Sequence, residues 1–465
     1  MKLKLVVASM SLLGLISSPA FAATNHVKHK KHHQKAMAQQ TTTHHDYKDM
    51  GSMPIQPAEA CTLSPASLTM IQMTQNTARA IPNPCNPGWY NRLQISGGMN
   101  IDVGKWGSRN TNYMGENYQR LSINDAYLNF AAKVNDWAKA FASLSYSNPT
   151  TVANPGLFGP YGAAEYSSAY SNNINAGAAS NVQLEQAFVT LGNFDQSPLF
   201  VQLGKQYQDF GRYEIHPITR SVTQVMSETL ATSAKVGFIM NGFNGSIYAF
   251  DTPINKLGTS SSPTDYGAAL GYTQTTDQLS WDVGAGYLYN LIGVNDVAFS
   301  VANATGNLGG LGAGTVGYNT RVGAYALYAD VNTGPFSVGA RLVSALQRFN
   351  PNDLAQNGIV DTGGSITGAN TNSNGAKPLA GSIQAGYGFN AWDMNQNVYV
   401  GYQGTRQAAA LNLPRTRGLA GYGIDVWTNT NLAVEWDHDW AYSTSHGGTG
   451  DGSNLVSLRA SVMFS

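Results

Sequence analysis

The sequence predicts an all-β protein, a transmembrane antiparallel β-barrel of about 16 strands behind a short, mostly disordered N-terminal periplasmic segment. Three observations predict it. From Trp89 onward apolar and polar residues alternate with period two, the signature of half-buried strands. The connections between those strands alternate strictly between short and long. Charged residues are only 12% of the 465, about half the usual soluble share, with 50 Gly, 24 Tyr and a formal net charge of zero. A neutral chain offers little to a nucleic acid partner. After the first residues no stretch supplies about 18 consecutive apolar residues, which excludes helical spans.

Residues 1–22, "MKLKLVVASMSLLGLISSPAFA", have the form of a secretory signal peptide: Lys2 and Lys4, an apolar stretch from Leu5 to about Ile16, and small residues at Ala20 and Ala22. A membrane anchor is the alternative, but the apolar stretch is short for a span. Residues 23–88 form a separate segment. Cys61 and Cys85, alone in an exported chain, read as one disulfide, with a pair of metal ligands as the alternative. His26, His29, His32, His33, His44 and His45 have ligand-like spacing for a transition metal, against a plain polar linker without preformed geometry. Residues 64–80 suit one short helix, with Ser64 as N-cap.

Residues 89–465 carry the barrel. The expected strands are 91–104, 119–132, 137–147, 181–193, 198–208, 233–241, 243–251, 264–274, 278–290, 318–331, 335–346, 378–389, 395–405, 418–427, 430–440 and 453–465. In "LQISGGMNIDV" the apolar set is Leu93, Ile95, Met99, Ile101 and Val103; in "LSWDVGAGYLY" it is Leu279, Trp281, Val283, Ala285, Tyr287 and Tyr289. Connections after even strands, such as "KVND", "NTG" and "TN", are short; those after odd strands are longer, above all 148–180, 209–232, 291–317 and 347–377. Outer-membrane barrels place short turns on the periplasmic side and long loops outside, and a soluble sandwich has no reason to keep that order. Sixteen strands leave room for water inside. Trp89, Tyr90, Trp137, Tyr146, Trp392, Trp427 and Trp440, near strand ends, are expected at the interfaces. The closing "SNLVSLRASVMFS" is the last strand, with Phe464 resembling the near-terminal aromatic read by the barrel-assembly machinery.

Two groups of residues are candidates for function. The connection after the fifth strand gathers Asp209, Arg212, Glu214, His216, Arg220 and Glu228, and is expected either to fold into the lumen as a pore loop or to stay outside with its charges solvated. Parity turns Asp102, Asp282, Arg341, Asp425, Glu435, Asp437 and Arg459 toward the lumen, because a charge facing lipid costs a few kcal/mol at mid-membrane. Carboxylates predominate, which argues against strong anion selectivity. For enzymes there is no GxSxG, HExxH or P-loop, and nothing calls for a cofactor. Asp437, His438, Asp439, His446 and nearby serines mimic a hydrolase set, but adjacent strand residues face opposite ways.

The stretches "INDAYLNFAAKVNDWAKAFASLSYS", "LEQAFVTLGN", "VQLGKQYQDFGRYEIHPITRSVTQ" and "LPRTRGLAGYGIDVWTNTNLAVEWDHDWAYS" resemble the LbtU-type siderophore porins, outer-membrane barrels that include the legiobactin receptor. The resemblance covers most of residues 89–465. It implies a sixteen-stranded barrel taking up ferric siderophore without a plug domain or TonB box, and the residues before Trp89 are too few for a full plug. Members often carry a coiled-coil N-terminal segment, whereas this one is His-rich with two cysteines. The expected partners are outer-membrane lipid, a small solute or ferric siderophore, and the assembly machinery; porins are commonly trimers, which leaves a homo-oligomer open. The alternatives are a general diffusion porin and a surface adhesin or structural barrel.

Overall fold

The computed structural model describes residues 93–106, 118–146, 182–212, 218–258, 265–276, 278–304, 317–356, 374–411 and 413–464. The signal sequence, Cys61, Cys85, the six N-terminal histidines, Trp89, Tyr90, Glu214 and His216 lie outside the described residues.

Sixteen antiparallel strands close into one barrel, each bonded to its sequence neighbours and the last to the first. They are β1 (Leu93–Trp106), β2 (Tyr118–Lys133), β3 (Ala138–Tyr146), β4 (Val182–Leu191), β5 (Leu199–Tyr207), β6 (Leu230–Met240), β7 (Phe243–Phe250), β8 (Asp265–Thr275), β9 (Leu279–Leu288), β10 (Ala324–Thr333), β11 (Phe336–Ala345), β12 (Leu379–Ala391), β13 (Met394–Arg406), β14 (Thr416–Trp427), β15 (Thr430–Trp440) and β16 (Gly452–Phe464). Period two sets the two faces. On β16, Val456, Leu458 and Val462 are exposed outward, while Ser453, Leu455 and Ser457 are buried inward. The exterior is therefore an apolar band of the kind hydrocarbon accepts, and closure leaves no unpaired edge for it to solvate.

The two sets of connections behave as their lengths require. Short turns join β6 to β7 through Asn241 and Gly242, at φ 52° and 82°, the left-handed pair that matches the twist of a hairpin. Aromatics gather beside this end. Phe243, Tyr272 and Trp281 pack with tilted rings, their centroids 4.5 and 5.1 Å apart, and Trp137, Trp392 and Trp427 are exposed. At the opposite end Trp436 and Trp440 face outward, and Tyr266 stacks on Tyr289 at 4.3 Å. Tyr146 is half-buried.

Two departures concern the long connections. The expected strand 318–331 begins only at Ala324, because Gly317–Tyr318 instead forms a parallel two-residue ribbon with Asn255–Lys256. The connections also fold inward. Helices α1 (Val222–Val225) and α2 (Asn295–Ala304), with Ile292, Leu354 and Leu411, pack on inward residues Leu288, Ala324, Val343 and Ala380 of the wall. Part of the interior read as water-filled is thus an apolar core. Period-two reading does not register short helices inside loops.

The seam pairs β1 with β16, Gly97 opposite Phe464 and Asp102 opposite Arg459. The Phe464 ring lies on Gly97, where a Cβ would come within 2.7 Å of it; Tyr399 covers Gly421 in the same way inside. Phe464→Ala should lower the fraction of folded barrel, read as heat-modifiable mobility on denaturing gels. Unchanged folding would show that the ring does not secure the seam.

Candidate functional site

The site is the connection 208–229 and the walls it meets. Its first part is fastened beside its own strands. Asp209 accepts from Lys235 Nζ at 2.9 Å and from the Ser246 hydroxyl, on β6 and β7. Arg212 donates to Asp282 at 2.9 Å on β9 and lies 5.0 Å over the Tyr328 ring of β10. Burial disfavours the Arg212 charge, but Tyr328 and Asp282 outweigh it and raise its pKa above the ordinary guanidinium value. Beside it Arg341 Nη2 donates to both carboxylate oxygens of Asp330, at 2.7 and 3.0 Å.

From Ile218 the chain is bound to the far wall. Glu435 of β15 accepts the Ile218 and Thr219 N–H groups at 2.7 and 2.8 Å and the Tyr399 hydroxyl at 2.7 Å. The Thr219 hydroxyl donates to Asp437 at 2.7 Å. Arg417 on β14 and Arg459 on β16 donate to the carbonyls of Arg220 and Ile218. Gln403 on β13 accepts the Val222 N–H at 3.0 Å, just where α1 begins with Ser221 as its N-cap. β7 and β15 stand eight strands apart in either direction round the ring, so the two described parts of the segment are held on opposite walls. Arg212 and Ile218 are six residues apart, a reach of at most about 20 Å.

The second half is held by the connection after β9. Arg220 pairs with Asp296 at 2.7 Å and with Glu228 at 3.3 Å. Asn295 receives the Leu230 N–H at 2.8 Å and returns a bond to its carbonyl. The bonds to Glu435 and these ion pairs hold the described residues of the segment on both sides.

Each residue singled out for the lumen has a definite place. Asp102 and Arg459 form a bidentate pair, both bonds 2.8 Å, across the seam. Glu435, Asp437 and Arg341 are buried inward. Asp425 is half-buried and accepts from Asn431 at 2.9 Å. Asp437 and His438 do face opposite ways: His438 bonds Asn454 at 2.8 Å and sits edge-on to Trp440 on the outside. His446 bonds Ser443 and Ser445 within one exposed turn. Sequence reasoning missed Arg417, which grips Asp439 at 2.6 and 2.7 Å, because the expected strand began one residue after it. It also missed Lys235, Asp330 and Asp296, whose parity or loop position gave a signal too weak to isolate.

A family model described as a protein of unknown function, DUF3573, matches residues 123–317. The chain is 25% identical over 350 residues to a UPF0422 protein of Coxiella burnetii, covering 74% of this chain and 64% of that one. It is 27% identical over 379 residues to a UPF0422 protein of Legionella pneumophila, covering 77% and 63%. In both cases the match spans less than two thirds of the relative's length. OprB of Pseudomonas putida shares the fold: TM-score 0.52 at 12% identity, over 84% of this chain and all of that one.

Glu435→Ala would leave two buried N–H groups and a buried hydroxyl without their acceptor, at about 1–3 kcal/mol each. It should expose the bond after Arg220 to trypsin in detergent, whereas wild type resists. Equal resistance would show that Glu435 does not hold the segment.

Proposed function

We propose that the chain is an outer-membrane channel for small solutes in which residues 209–229 narrow the passage. One observation carries this: Ile218–Thr223 is hydrogen-bonded to β12–β16, on the far side of the barrel from where the segment starts. A long connection fastened across a barrel divides its cross-section and sets the size of what passes. The apolar exterior and the aromatic rings at both ends support placement in an outer membrane, and residues 1–22 supply an export signal.

The inner wall supports weak charge selection at most. Arg341 and Arg459 are paired with Asp330 and Asp102, so among the described residues these two offer little free positive charge to a solute. Reversal potentials in a salt gradient are expected to be near zero or cation-preferring. A strong anion preference would contradict the wall chemistry.

Deleting residues 212–220 should raise single-channel conductance in planar bilayers, and unchanged conductance would remove the segment from the passage. Ferric siderophore is the cargo that the resemblance to the LbtU-type porins nominates. Uptake of iron-55 siderophore with and without the gene tests it: unchanged uptake ends the iron reading and leaves the channel reading in place. A surface adhesin would show neither conductance nor uptake.

A further inference from the structure

Four cations stand in a row on the rim that carries the long connections. They are Arg321, just before β10, Arg348, just after β11, Lys377, just before β12, and Arg406, the last residue of β13. Arg348, Lys377 and Arg406 are exposed and Arg321 is half-buried. The last three continue the outward positions of the apolar band. Arg406 is paired opposite Leu379 and lies four residues beyond exposed Tyr402, Lys377 lies two residues before Leu379, and Arg348 lies two beyond exposed Leu346. Bonds hold the row together. One oxygen, Gln407 Oε1, accepts the Lys377 N–H at 2.8 Å and Arg348 Nη1 at 3.4 Å. Gln347 donates to the Arg321 carbonyl at 2.8 Å. Four neighbouring strand ends set the length of the row at about 15 Å.

Among the described residues none of the four forms an ion pair. Arg348 donates to neutral acceptors, the Gln356 side chain at 3.1 Å and the Gly375 carbonyl at 2.9 Å besides Gln407. Arg321 lies 5.5 Å over the Tyr289 ring. Two carboxylates of the same rim are turned elsewhere. Asp353 is buried and accepts the Asn319 and Thr320 N–H groups. Asp265, whose field reaches Arg321, is buried and accepts those of Tyr266 and Asn290. Gln407 itself sits at φ 53°, a left-handed conformation that costs a non-glycine residue energy, and the two bonds to its side chain hold it there. Beneath the row the wall is apolar, with Leu346, Ile383, Val400 and Tyr402 exposed. An amphiphile with anionic groups level with the row and hydrocarbon against the wall fits both features. Guanidinium groups pair with phosphate through two parallel N–H bonds, which makes phosphate the natural anion. In an outer membrane the leaflet beside the long connections is lipopolysaccharide, whose lipid A carries two phosphates on a disaccharide above its acyl chains.

We propose that Arg321, Arg348, Lys377 and Arg406 bind the phosphates of lipid A, with its acyl chains laid along β11–β13. The proposal rests on the outer-membrane placement and is independent of conductance.

The test refolds the full chain in detergent free of lipopolysaccharide, titrates it with bisphosphorylated lipid A and measures the bound lipid by native mass spectrometry. Saturable binding of lipid A is expected, and removal of both phosphates from the lipid should abolish it. Arg406→Gln should weaken binding about fivefold, the worth of one cation at an anionic lipid surface. Arg348→Gln, Lys377→Gln and Arg406→Gln together should weaken it at least about a hundredfold. Lys133→Gln, at the opposite end and on a residue paired with Asp136, should leave it unchanged. Equal binding of the phosphate-free lipid, equal binding by the triple variant, or equal binding of phosphatidylglycerol overturns the proposal. Displacement of lipid A by millimolar inorganic phosphate overturns it too, since the row would then be a site for the free anion. Should the triple variant fail to refold, Arg406→Gln decides, and unchanged affinity counts against the site. Membrane fractionation separates the two readings: a chain that sediments with the outer membrane yet binds no lipid A sinks the site alone, and one that sediments elsewhere sinks the placement.

Discussion

Closure of the sheet is the constraint on which everything else depends. An open sixteen-stranded sheet would present two rows of unpaired N–H and C=O groups, which hydrocarbon cannot solvate. The seam between β1 and β16 satisfies them, in a register that runs from Gly97–Phe464 to Trp106–Leu455. Once the register is fixed, parity is fixed round the whole ring, since a slip of one residue would turn the apolar face inward and the charges outward. Asp102 and Arg459 sit opposite one another in that register and can pair only in it. Their contribution lies in specifying the alignment as much as in stabilising it, because the desolvation of both charges offsets most of their attraction.

The interior uses charge for fastening. The carboxylate of Glu435 holds backbone N–H groups, and the guanidinium groups of Arg417 and Arg459 reach backbone carbonyls beyond their acidic partners. A loop without regular structure has backbone groups that must be satisfied somewhere. Here the wall satisfies them, which is why so many inward charges are spent on the chain itself. The apolar core formed with α1, α2, Leu354 and Leu411 completes the same task from the other side.

Most of the barrel was legible because two independent signals, the period of two and the short–long order of connections, both follow from a single closed sheet with unlike ends. The inward placement of Asp102, Glu435, Asp437 and Arg459 followed from parity alone. The destination of the 209–229 connection did not follow. Asp209, Arg212 and Arg220 marked it as charged, but a charge count is the same for a solvated loop as for one that crosses the interior. The partners that decide, Glu435 and Gln403, are remote in sequence and belong to strands whose own pattern is complete without them. Helix α2 was hidden for a different reason. Its sequence, NDVAFSVANA, is short and lies inside a connection where only strands and turns were expected.

The segment fastened to β6–β10 at one end and to β12–β16 at the other also has a mechanical meaning. A thin ring under lateral pressure flattens most easily along a diameter, and the two anchorages stand at opposite ends of one. Anchorages so placed tie the roundness of the barrel to the length of chain between them.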